Sequence, residues 1–382
     1  MQKANLAVAS VVLMAASLAC ALPSLPSGDA PVIDATDIAV RVAATLTAAA
    51  PAPLVATATL EPTLPPTYPA LPPRLWMTFM GSGSDAYWLE GRSATRITLP
   101  VSLGQYYDFA PSTGKILYAS HFANVGAGPA NLAVSDLWIA GYPAGSVTAV
   151  IPTETVVEAH WSPDGQALAY ILATDARYEL HWRTLGGDDR ILATDLAPTW
   201  SIAPTGDRIA FTRETGYELD GDPGLYVVPT AGGAEVRLSS ADRHGAGGIE
   251  DQPAWSRDGS FLALGYSDVT AGAFGLVIAA TDGSSSQSVS YAPAVDADII
   301  AGGLPMNVVW HPDDLHFVGL GGTVESMGGP QEAVLFELDP TRSQIVAATA
   351  FGTALAVIDW ATPGASVWIL DDLGNIVARD LP

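Results

Sequence analysis

The chain has 382 residues, 49% hydrophobic and 15% charged, which is enough apolar material for one large or two ordinary cores and excludes a disordered chain. Its 16 Lys+Arg against 40 Asp+Glu give a formal charge of −24, which repels phosphate backbones and anionic lipid surfaces, so no nucleic acid partner is expected. Twenty-nine Pro, 37 Gly and ten Trp favour turns and aromatic-rich strands over long helices, and an all-β fold follows as the expectation.

The first twenty residues, "MQKANLAVASVVLMAASLAC", place Lys3 before an apolar run from Leu6 to Ala19 and end on the single cysteine, Cys20. This is the pattern of an export signal. Leu18-Ala19-Cys20 resembles the lipobox at which bacterial lipoproteins are cleaved and acylated, with Ser17 and Leu18 in swapped order. Residues 1–20 are therefore read as a signal peptide with lipidation at Cys20; cleavage near Ala19-Cys20-Ala21 without acylation and an uncleaved anchor are the alternatives. The apolar run is short for a stable span. With one cysteine there is no internal disulfide, and the fold must be stable from its core alone.

Residues 21–66 read as a tether rich in Pro, Thr and Ala, which buries too little apolar surface to fold and is extended by its prolines. Within it Ile38, Val42 and Leu46 recur every fourth residue after Thr36 and Asp37, a spacing that permits a short helix over 36–49, transient in a linker or docked. At roughly 3.1 Å per residue, Pro51 to Pro73 would reach some ~70 Å from a membrane.

From residue 67 onward one phrase recurs. "FAPSTGKILYASH" (109–121), "WSPDGQALAYILA" (161–173), "WSIAPTGDRIAFT" (200–212), "WSRDGSFLALGYSD" (255–268), "WHPDDLHFVGLGG" (310–322) and "WATPGASVWILDD" (360–372) each hold an aromatic, a tight turn and an apolar strand. A third strand follows, as in "GLYVVPT" (224–230), and then a turn and a fourth, as in "EVRLSS" (235–240). Self-similarity of this kind signals a repeat architecture, and four antiparallel strands per repeat make a propeller blade. Residues 68–100 scan as a degenerate further unit, and the last unit runs out after its third strand. Over 67–382 seven blades, at about 45 residues each, are favoured over six at about 53.

The W-S-x-D-G turn before strands such as "ALAYI" and "DRIAF", followed later by "GLYVV", resembles the repeat of TolB-type β-propellers, a WD40-like architecture also found in prolyl-oligopeptidase relatives. The resemblance covers everything after the tether and implies the propeller fold and a scaffold role in a cell-envelope assembly. Trp200 stands two residues early, leaving Ile202 in the aromatic position, and Asp314 stands where Gly is usual. The aromatics are expected to pack between blades. Asp164-Gly165 and Asp258-Gly259 are expected to supply turn geometry, through Asx hydrogen bonds and a positive φ.

In a four-stranded blade the first-to-second and third-to-fourth turns share one face, and here they are short. The other face carries the long connections 121–135, 213–224, 240–252, 291–305 and 322–332, and loops on a rigid scaffold are where binding resides. Candidate partner- or cation-binding residues are Asp220, Asp222, His244, Glu250, Asp251, Asp296 and Asp298. "DGDPG" and "DAD" have oxygen-ligand spacing compatible with Ca²⁺, but neither is a complete calcium loop, and a solvated acidic face is the plainer reading. The other histidines (121, 160, 181, 311 and 316) are scattered, with no H-E-x-x-H pair. No G-x-S-x-G is present, Gly91-Arg92-Ser93-Ala94-Thr95 lacking the final Gly, and no phosphate loop. A hydrolase domain of the oligopeptidase kind needs a couple of hundred residues that the chain does not hold outside its propeller.

The expectation is a monomeric, non-enzymatic, extracytoplasmic lipoprotein of the cell envelope, in the periplasm or on the cell surface. It meets the membrane only through its lipid anchor and binds an envelope protein or glycan by the long-loop face, with no obligatory cofactor. The competing reading is an exported hydrolase or lyase with a divalent-cation site at the channel mouth.

Overall fold

A computed structural model describes residues 71–382 apart from 81–82, 100–104, 126–131, 144, 175–177, 198, 214–221, 241–251, 269–272, 294, 296–305, 322–330 and 372. The leader, Cys20, the tether and the 36–49 segment lie outside the described residues. Chain contacts separate Thr67–Pro382 as one compact unit. Among the described residues no helix is long and apolar enough to cross a membrane.

The described secondary structure is all β. An antiparallel sheet holds β1 (Arg74–Met80), β2 (Gly83–Glu90) and β3 (Ser93–Ile97). Next come β4 (Gln105–Ala110), β5 (Lys115–Ala119), the side strand β6 (Phe122–Val125) and β7 (Leu132–Gly141). Strand β8 (Val147–Trp161) then serves two sheets, its first residues pairing with β7 and its last with β9 (Ala167–Ala173). β10 (Tyr178–Thr184) and β11 (Asp189–Thr194) complete that second group.

A separate sheet is formed by β12 (Trp200–Ile202), β13 (Arg208–Arg213), β14 (Gly224–Pro229) and β15 (Val236–Ser239). Two further groups follow, β16 (Ala254–Trp255), β17 (Phe261–Asp268), β18 (Ala273–Ala280) and β19 (Ser286–Tyr291), then β20 (Met306–Trp310), β21 (His316–Gly321), β22 (Gln331–Leu338) and β23 (Gln344–Ala354). Their outer strands touch through a short parallel pairing of Ser290 and Tyr291 with Gln344 and Ile345, which covers edges that would otherwise be open. The last sheet is β24 (Ala356–Thr362), β25 (Ser366–Leu370) and β26 (Ile376–Asp380), three-stranded where the final repeat runs out. These antiparallel sheets resemble propeller blades.

The second strands are apolar almost continuously because they are buried on both faces. In β9 Ala169 and Ile171 pack with Trp200 and Phe211 of the following sheet, while Leu168 and Tyr170 pack with Leu117 and Leu137 of the preceding one. In β17 Ala263 meets Phe317 and Phe336, and Leu262 and Leu264 meet Leu225 and Val227. The same stacking joins Leu75 and Ala86 to Ile116, and Val318 and Leu320 to Trp360 and Val367. Leu89 of the first sheet also packs with Trp368 and Ile376 of the last. Each fully buried Leu, Ile or Phe contributes about 1.5–3 kcal/mol relative to exposure.

The recurring phrase is a local device. Gly165 N–H donates to Ser162 O at 2.8 Å, and Gly165 takes φ 67°, closing a turn that ends in a left-handed residue. Asp164 Oδ1 accepts from the Ser162 hydroxyl at 2.6 Å and from Gln166 N–H at 3.0 Å. Asp258 repeats the arrangement with the Ser256 hydroxyl at 2.8 Å and Ser260 N–H at 2.9 Å. In the early-Trp phrase Ala203 and Gly206 close the turn, so Ile202 holds the aromatic's place and Trp200 lies deeper, fully buried.

Asp314 adopts φ 59° at the position held by Gly165 and Gly259 elsewhere. Its carboxyl is raised above its ordinary value, chiefly by burial and then by the nearby Asp258 charge, and its Oδ1 is buried without a hydrogen-bond partner. Asn tolerates the left-handed conformation as well as Asp does and carries no charge. Asp314→Asn is expected to stabilise the fold by about 0.5–1 kcal/mol at neutral pH, a gain that shrinks in acid, where the native carboxyl is neutral too. Denaturant titrations at pH 7 and pH 4.5 check both the sign and its pH dependence.

Candidate functional site

Of the predicted loop residues, Asp222 alone is described. Its carboxylate Oδ2 lies 3.5 Å from Arg237 and its side chain is 81% exposed, so it forms a surface ion pair; among the described residues no second carboxylate joins it. Asp220, His244, Glu250, Asp251, Asp296 and Asp298 lie outside the described residues.

What is described on that side is how the loops are rooted. Asp136 accepts from Ser120 N–H at 2.8 Å, His121 N–H at 3.0 Å, the Ser120 hydroxyl at 2.5 Å and the Trp138 indole at 2.7 Å. Burial alone would raise its carboxyl, and these donors outweigh burial to hold it below the usual range. Arg213, 8% exposed, opens the next long loop. It reaches both Glu235 oxygens at 2.6 and 3.0 Å, donates to the Asp195 and Thr194 carbonyls at 3.0 Å, and stacks 4.5 Å over the Tyr226 ring. Asp136 and Arg213 are thus each held by several bonds beside the 121–135 and 213–224 connections in sequence.

A second polar constellation stands on the first strands of the sheets. His160 Nε2 lies 3.1 Å from Glu158 Oε1, and its Nδ1 lies 3.7 Å from Asp108 Oδ2. Glu158 Oε1 also accepts from Gln252 Nε2 at 2.6 Å. Asp108 takes the backbone N–H groups of Phe109 and Trp161, each at 2.7 Å. Arg74 forms an ion pair with Asp359, whose Oδ1 accepts from Trp360 N–H at 2.6 Å. Ser201 donates to the Pro253 carbonyl at 2.5 Å. These contacts link β4 with β8, β1 with β24, and both β8 and β12 with the segment entering β16.

The electrostatics follow from that geometry. Burial lowers the affinity of His160 for its proton, but the two carboxylates outweigh burial and raise its pKa to about 10. The ring packs edge-on at 5.0 Å against Trp200. Tyr107, hydrogen-bonded to Ser135, is pushed up to about 12, first by burial and then by the Glu158 and Asp136 charges. Burial pushes the Arg74 guanidinium down while Asp108 pulls it up.

Sequence reasoning missed this group, although a signal was present. The residue just before the slot aromatic is polar in three phrases, Asp108-Phe109, His160-Trp161 and Asp359-Trp360, where apolar alternation gives no reason for it. A further correction concerns the histidines. His311 and His316 are not scattered; with Asp313 they bring three ligand-type atoms within 4.8 Å of one another.

No family model matches the chain, and no curated protein matches it. Solved structures resemble it at low identity. TolB from Acinetobacter baumannii is similar with a TM-score of 0.42 and 14% identity, over 80% of this chain and 78% of that one. The putative TolB from Agrobacterium tumefaciens gives 0.43 and 16%, over 76% and 95%. The β-propeller domain of the Trilobed protease from Pyrococcus furiosus gives 0.43 and 11%, over 81% and 91%.

Proposed function

We propose that this chain is a non-enzymatic envelope lipoprotein, held by acylated Cys20, whose propeller binds a protein or glycan partner through its long-loop face. The observation that supports the non-enzymatic reading is the bonding around His160. His160 is bracketed by Glu158 at 3.1 Å and Asp108 at 3.7 Å, and these carboxylates favour its protonated form. Glu158 and Asp108 are both engaged by it and by further N–H donors. Such a group holds strands in place. The ring itself we read as seven-bladed, and the support is the order of the inter-sheet cores, which pass from each sheet to the next and from the β24–β26 sheet back to β1–β3.

Binding is left to the loops, since connections on a rigid scaffold are where binding resides. The test is site-specific photo-crosslinking in intact cells, with the probe placed in 241–251 or 322–330, or on the short-turn face at Gly187 or Gly232. Adducts confined to the loop positions are expected. Adducts from the turn face alone would reverse the assignment. In parallel, Cys20→Ser is expected to move the protein out of the membrane fraction, and unchanged fractionation would remove the lipoprotein part of the reading.

A further inference from the structure

His311 N–H donates to His316 O at 2.8 Å, which makes the two residues the closing pair of the β20–β21 turn. The same pair is Ser162/Ala167 and Ser256/Phe261 in the neighbouring phrases, as the matching hydrogen bonds at 2.8 and 2.9 Å show. In those turns a serine hydroxyl holds the Asp. Here both ends of the turn are histidine, and both rings point at the Asp between them. His311 Nδ1 lies 2.9 Å from Asp313 Oδ1, and His316 Nδ1 lies 2.7 Å from Asp313 Oδ2. Asp313 Oδ1 is itself oriented by Leu315 N–H at 2.9 Å and His316 N–H at 3.0 Å. The three side chains are 15, 33 and 30% exposed, within reach of an ion from solvent.

We propose that His311, Asp313 and His316 form a binding site for a divalent transition-metal ion, with zinc the best match. Two imidazole nitrogens and one carboxylate oxygen are the donor set of Zn²⁺, and hard oxygen-preferring ions such as Ca²⁺ are disfavoured by it. The three candidate donor atoms lie within 4.8 Å of one another, and Zn–N and Zn–O bonds of about 2.0–2.2 Å would draw tetrahedral donors to about 3.3 Å apart. The backbone N–H groups on Asp313 act as the supporting hydrogen bonds that fix a ligand's direction. The fourth position falls to water. The His311 ring also packs edge-on at 5.4 Å against Trp360 of the next sheet, so ion binding bears on the contact between the β20–β23 and β24–β26 sheets. The site owes nothing to the binding role proposed above.

The test uses the full chain without an affinity histidine tag, with Zn²⁺ as the probe. Calorimetric titration should find one saturable Zn²⁺ site per chain. Thermal unfolding in Zn²⁺ at about a hundredfold over its Kd should rise by roughly 5 °C over unfolding in EDTA. Co²⁺ substituted at the site should give visible absorption of a four-coordinate centre. His311→Ser restores the serine turn of Ser256-Asp258 and should unfold in EDTA near the wild-type temperature while losing at least tenfold in affinity; His316→Gln, on the other ring, should lose as much. Absence of saturable binding to the wild type overturns the proposal. So does unchanged affinity in both variants, which would place the ion on other histidines.

Discussion

Trp360→Ala should lower the unfolding free energy by about 3–5 kcal/mol, the range for truncating a buried tryptophan. Trp360 is 7% exposed, packs with Val318, Leu320 and Val367, and donates its indole N–H to the Trp310 carbonyl at 2.7 Å. Trp310 donates in turn to the Ala254 carbonyl at 2.9 Å, and Trp255 to the Ser201 carbonyl at 3.3 Å. Three slot tryptophans thus latch their sheets to the first strand of the preceding one. Trp161 occupies the same slot, but its indole nitrogen is buried without a hydrogen-bond partner. Phenylalanine therefore separates packing from latching. Trp360→Phe strands a carbonyl and should cost about 1–2 kcal/mol beyond its lost volume, whereas Trp161→Phe should be nearly free of that penalty. Equal losses for the two Phe variants in denaturant titrations would remove the latch from the account.

The second large effect is a pH dependence carried by His160. Its folded pKa of about 10 stands well above the ordinary value of about 6.5 for an unfolded histidine. Between those values the folded state holds a proton that the unfolded state has released, so stability falls as pH rises. The contribution is fully present below about pH 6.5 and is lost as pH passes through about 10. Its size is on the order of 2–4 kcal/mol. His160→Gln should flatten that part of the stability profile while leaving the acid limb in place. A mutant profile that keeps the wild-type slope between pH 7 and pH 10 would show that the imidazolium is not held by Asp108 and Glu158.

Much of the local structure was legible from the chain because it depends on residues close in sequence. Asp164 and Asp258 bond donors two residues away, and Gly165 and Gly259 take the left-handed conformation that their turns require. The phrase therefore announces the turn, the strand after it and the aromatic before it. Asp314 shows the same logic by departing from it, since its positive φ persists where the glycine is missing. The histidine pair was legible in principle, because a turn closed by residues 311 and 316 sets them opposite each other. A hairpin spacing, unlike the helical H-E-x-x-H spacing, brings the two rings together across the turn.

Sequence alone determined that this is a β-repeat chain, where its turns lie and which aromatics are buried, because hydrophobic period and turn chemistry act over a few residues. Only the tertiary structure decided which polar side chains meet. Arg74 finds Asp359 in the last sheet, and Glu158 finds Gln252 across 94 residues. Periodicity carries no information about such pairs. Packing the sheets against one another brings residues of distant strands together, and charges placed there are then partly desolvated and must find partners or shift their pKa.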